Sequence, residues 1–133
     1  MFETALFLTF LGLTLASVVV TLIFGLKKRR RAHLVSAITT AVLLVVAIVF
    51  ALLLGQVRDF PPDEMAIHKI FSNSGAYLFL VVVFTGSMLW KSPGWRWAHR
   101  ICIGLFLVAA LCATVTGFWV FTLSTPIPAP GLP

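Results

Sequence analysis

The sequence predicts an all-α integral membrane protein whose four transmembrane helices form an up-down-up-down bundle. Three observations predict it. Apolar residues make up 60% of the 133 and charged residues 11%, with a mean hydropathy of +1.07, a composition outside the range of water-soluble domains. Four stretches, 5–26, 34–55, 70–90 and 101–123, carry no Asp, Glu, Lys or Arg, and each reaches the roughly 20 residues that a hydrocarbon core of about 30 Å requires. The connections between them are short, which makes neighbouring helices antiparallel. Lipid cannot satisfy backbone N–H and C=O groups, so uninterrupted apolar runs must be helices, and no ten-residue alternation points to a barrel.

The first span is read as retained rather than as a removable signal, because Glu3 stands where a signal has its basic start and no small-residue cleavage site precedes Lys27. Span two follows Lys27, Lys28, Arg29, Arg30 and Arg31 and begins after His33. For span three, Pro61 and Pro62 followed by Asp63 and Glu64 give a start signal, with acids where the helix dipole favours them. Span four follows Lys91, Arg96, His99 and Arg100, and Trp90, Trp95 and Trp97 among them read as interfacial depth markers. Gly12 with Ala16, Ser36 with Thr40, Ser72 with Ala76 and Ala109 with Ala113 are the expected small-residue helix contacts. One domain, 1–123, is expected, and 124–133, with four prolines, reads as an extended extramembrane tail, either disordered or laid on a partner.

Charge sets the expected orientation. The connections after spans one and three hold eight basic residues, while Arg58, Lys69 and all four acids lie at the other side. The positive-inside rule then puts both termini outside, in the periplasm of a bacterial inner membrane. Basic loops pinned at a bilayer meet anionic lipid headgroups, not nucleic acid. No span holds a charged residue, which argues against an ion path or proton relay through the middle. Cys102 and Cys112 are ten positions apart on one helix, too far to bridge each other, and there is no CxxC. A nucleophile–base pair, phosphate loop and nicotinamide fingerprint are also missing, so no independent catalytic activity is expected.

The chemistry falls to three histidines. His33 opens helix two and His99 opens helix four, which in the expected bundle places two imidazoles at one depth, as a bis-histidine haem b requires. Arg30, Arg31, Arg96 and Arg100 beside them could pair with haem propionates. The competing reading leaves both histidines in the headgroup zone among charged neighbours. His68 enters from the opposite side, with Glu64 one helical turn before it and Asp63 adjacent, a partial set for Zn²⁺ or Cu²⁺ that Met65 would extend to Cu(I). A capped helix start with a surface hydrogen bond or ion pair is the alternative there. A single histidine could also be the axial ligand of a (bacterio)chlorophyll.

The basic loop running into His33, Met65-Ala66-Ile67-His68, His99-Arg100 and Thr116-Gly117-Phe118-Trp119-Val120 resemble a little-characterised four-helix bacterial membrane family that contains a maturation factor for haem–copper oxidases. They are similar in style to small b-type cytochromes. The resemblance implies that His33, His68 and His99 are haem or metal ligands, and that the partner is a respiratory or other electron-transfer complex. The chain departs from that family at Leu54-Gly55-Gln56, where a further histidine is usual. The expected function is therefore a small membrane component of an electron-transfer system, binding one haem b or assisting assembly of a haem-containing oxidase. The alternative is a structural or pigment-binding subunit of a larger membrane complex.

Overall fold

The computed structural model describes residues 2–127. Four helices carry it: α1 (Phe2–Leu26), α2 (Arg30–Val57), α3 (Pro62–Met88) and α4 (Arg96–Leu123). Each is long and apolar enough to cross a membrane, so the fold is all-α and the chain is a multi-pass membrane protein. The helices outrun the charge-free stretches at their polar ends. A 28-residue helix such as α2 or α4 spans about 42 Å, more than the hydrocarbon alone, so Arg30 and Arg96 are helical although they flank the apolar core.

Contacts group the four helices into two helical hairpins. Hairpin one is residues 2–59 with 126–127, in which α1 packs on α2; hairpin two is Phe60–Thr125, in which α3 packs on α4. In each, the end with the connecting turn is called the loop end, and the other the open end.

The α1–α2 turn is tight because Lys28 takes a left-handed conformation, φ 56°. The Arg29 N–H then donates to Phe24 O at 3.0 Å and the Lys28 N–H to Gly25 O at 3.1 Å, which satisfies carbonyls at the end of α1. α3 starts as read, with Pro62 in its first turn and Asp63 and Glu64 behind it. Between α3 and α4 a 3₁₀ turn, Pro93–Trp95, is capped by Ser92, whose Oγ accepts from the Gly94 N–H at 3.3 Å. Trp95 stands edge-on to Phe84 with ring centroids 6.1 Å apart.

The start of the proposed tail is ordered by pairing. Dipeptides β1 (Arg58–Asp59) and β2 (Thr125–Pro126) form a two-stranded ribbon, and the Ile127 N–H donates to Val57 O at 3.1 Å. The rest of the tail, 128–133, lies outside the described residues.

What the fold buries is mostly small or hydroxylated, Thr14, Ser36, Thr40, Thr85 and Ser124 with Ala47, Gly75 and Ala109, and the branched side chains buried with them are Leu54 and Val120. Large side chains such as Leu52, Leu80 and Leu111 point outward, each more than 60% exposed, as lipid solvent permits. Of the small residues expected at contacts, Ser36, Thr40 and Ala109 are buried. A methyl on Gly12, however, would meet nothing within 4 Å, and in α3 the contact falls to Gly75, one position before Ala76.

Candidate functional site

The three histidines share one construction. His33 is the fourth residue of α2, at the loop end of hairpin one, and its Nδ1–H donates to the Thr21 carbonyl of α1 at 2.9 Å. Its ring lies on Gly25 of α1, where an added methyl would stand 3.2 Å from Nδ1. His99 is the fourth residue of α4, at the loop end of hairpin two. Its Nδ1 is 3.0 Å from Thr85 Oγ1, and its Cε1 would be 3.1 Å from a methyl on Gly86. His68, near the start of α3 at the open end of hairpin two, has Nδ1 3.2 Å from Thr116 Oγ1, and its Cε1 would be 3.1 Å from a methyl on Gly117.

A glycine under the ring and an oxygen on Nδ1 therefore make a seat for each imidazole. The oxygens also set the tautomer. A carbonyl can only accept, so His33 carries its proton on Nδ1. Thr85 gives its hydroxyl hydrogen to Val81 O at 2.9 Å, and Thr116 gives its own to Cys112 O at 2.7 Å, so both hydroxyls accept from the imidazole. In the neutral form of each ring Nε2 is then the nitrogen with the lone pair, which is the arrangement of metal-ligating histidines held by a second group.

Repetition in the chain underlies the repetition in space. α2 and α4 are both 28 residues long and both open with Arg-x-Ala-His, Arg30 to His33 and Arg96 to His99. Within hairpin two, His68 and Thr85-Gly86 are separated by the same 17 positions as His99 and Thr116-Gly117. In an antiparallel pair, equal spacings bring each histidine opposite the other helix's Thr-Gly. Sequence reading had named the histidines but not Thr21, Gly25, Thr85 or Gly86, and the doubled His-x16-Thr-Gly spacing was the signal that could have found the last two.

The other predicted site residues fall as follows. Arg30, Arg31, Arg96 and Arg100 are exposed in the opening turns of α2 and α4. Arg31 also borders an open groove of about 500 Å³ on hairpin one, lined with Ser17, Val20, Phe24 and Val35; His33 is not part of its wall. Beside His33 runs a hydroxyl chain. Thr40 donates to Ser36 O at 2.8 Å, and its Oγ1 meets Ser17 at 2.7 Å and Thr21 at 3.1 Å. At the start of α3, Asp63 is exposed and Glu64 half-buried. His68 is engaged by α4, and no group of three or more His, Cys, Asp or Glu side chains that could hold a bare ion occurs among the described residues. Cys102 and Cys112 are both unbridged and half-buried.

No family model matches the chain, and no curated protein or solved structure is significantly similar to it.

Proposed function

We propose that the protein is a small component of an electron-transfer or respiratory system in a bacterial inner membrane, binding one b-type haem with His33 and His99 as its candidate imidazole ligands. The observation that carries the reading is the duplicated seat: each hairpin presents, at its loop end and at the fourth residue of its second helix, an imidazole with Nδ1–H held and the lone pair on Nε2. Two neutral imidazoles fixed in this tautomer are the donor set that a low-spin haem iron takes from a protein.

The arginines fit the same reading. Basic side chains in the first turn of a helix oppose its dipole, at a cost of about 0.3–1 kcal/mol each. α2 and α4 open with Arg30, Arg31 and Arg96 and have no acid in their first turns. An anion at these ends, a haem propionate or a lipid phosphate, would offset that cost, and guanidinium binds a carboxylate in bidentate fashion. A bound haem would supply one-electron redox chemistry; what the chain does is hold its ring, orient it and set its charge environment. Service in the assembly of a haem-containing oxidase uses the same ligands, with the haem passed on rather than kept.

The basic loop ends put both termini in the periplasm on this reading. Reduced-minus-oxidised spectra of the purified protein test it: a low-spin b-type α band is expected, lost in His33→Ala and in His99→Ala and kept in His68→Ala. Protein that takes up no haem, or that keeps the band in both variants, overturns it.

A further inference from the structure

We propose that His68, Thr116 and Gly117 form a separate site that binds a metal tetrapyrrole through one axial imidazole, at the open end of hairpin two. The first ground is construction. His68 has the same ring-on-glycine contact and the same oxygen on Nδ1 as the loop-end histidines, and hence the same lone pair on Nε2. It is a different site from theirs. Seventeen positions of helix separate His68 from the Thr85 that serves His99, about 26 Å along α3, so the two imidazoles of hairpin two cannot reach one metal.

The second ground is that the hairpin does not need this seat in order to pack. Aligning α2 with α4 on Arg-x-Ala-His puts Phe50 and Ala51 where hairpin two has Thr116 and Gly117. Aligning α1 with α3 on Gly25 and Gly86 puts Phe7 where hairpin two has His68. Both halves of the seat are thus absent together from hairpin one. In hairpin one Phe50 instead stacks on Phe10, three positions after Phe7, with ring centroids 5.2 Å apart and planes at 13°. A hairpin of this kind can thus pack without the seat, so the imidazole with both its partners in hairpin two points to a use for its nitrogen.

The third ground selects the ligand. A bare Zn²⁺ or Cu²⁺ takes three or four protein ligands, and among the described residues no such group is assembled around His68. A tetrapyrrole brings four nitrogens to its metal and asks one more of the protein. With one imidazole, the metal is five-coordinate.

Zinc protoporphyrin IX is the probe, since its zinc takes a single axial ligand. The full chain in detergent, with His33→Ala and His99→Ala combined, is expected to bind one equivalent and to lose it when His68→Ala is added. Should His68→Ala disturb the helices in circular dichroism, Thr116→Val in the same background is expected to weaken binding about 10–100-fold while Thr116→Ser stays within a few-fold of Thr116. A double variant that binds none, a triple variant that binds as much as the double, or Thr116→Val binding as tightly as Thr116→Ser, would overturn the proposal. The loop-end pair is judged separately by its own iron spectra, and its failure would not alter this titration.

Discussion

Replacing Gly86 by alanine probes the seat of His99 without touching a polar group. The added methyl would stand 3.1 Å from Cε1, 3.7 Å from Nδ1 and 3.9 Å from Nε2 of His99, so the ring has to retreat by a few tenths of an ångström. Retreat stretches the 3.0 Å contact with Thr85, which is worth about 1 kcal/mol, and overpacking adds about 1 kcal/mol or more. Alanine also has a higher helix propensity than glycine, so a second variant must remove that term. Gly104→Ala serves, because Gly104 lies in the same hairpin and a methyl there meets nothing within 4 Å. Thermal or denaturant unfolding in detergent, followed by circular dichroism, should find Gly86→Ala less stable than Gly104→Ala by about 1–2 kcal/mol. In a His99→Ala background the gap should close, since the ring that resists the methyl is gone. Equal stabilities of the two glycine variants, or a gap that survives His99→Ala, would refute the seat.

Other consequences follow from single contacts. Thr40→Val removes the acceptor of Ser17 and Thr21 and should cost about 1 kcal/mol in the same unfolding assay, with Thr40→Ser closer to the parent. Lys28→Val should destabilise the α1–α2 turn by about 1–2 kcal/mol, because a β-branched side chain resists the left-handed φ of 56°, while Lys28→Gly should not. A topology reporter fused after Pro133 should be active only in the periplasm, and activity confined to the cytoplasm would reverse the orientation. Zn²⁺ titrated into the protein without tetrapyrrole should bind weakly at Asp63, Glu64 and His68; tight stoichiometric binding abolished by His68→Ala would contradict the absence of a ligand group there.

The four helices were legible because their signal is long and one-dimensional: a bilayer selects apolar stretches by length alone. The rotation of each helix about its axis was not. Helices apolar all round carry no amphipathic stripe, so Gly12 read as a contact although it faces open space, and Ala76 was named where Gly75 is the buried residue. The helix starts at Arg30 and Arg96 were hidden because charge marks the edge of the hydrocarbon, not the end of the helical hydrogen bonding. His33, His68 and His99 stood out as the imidazoles at the polar starts of three helices. Their partners did not, since the oxygen that meets Nδ1 comes from the neighbouring helix, and a backbone carbonyl such as that of Thr21 leaves no residue-type signal at all. Pairing equal His-to-Thr-Gly spacings on two helices with a short connection recovers two of the three seats.

Electron paramagnetic resonance of the oxidised, haem-loaded protein tests the central claim most directly, because it reports the axial ligands of the iron itself. The account predicts a low-spin bis-imidazole signal in the parent that turns to a high-spin signal in His33→Ala and equally in His99→Ala. A low-spin signal that persists in either variant, or a parent without one, would contradict it.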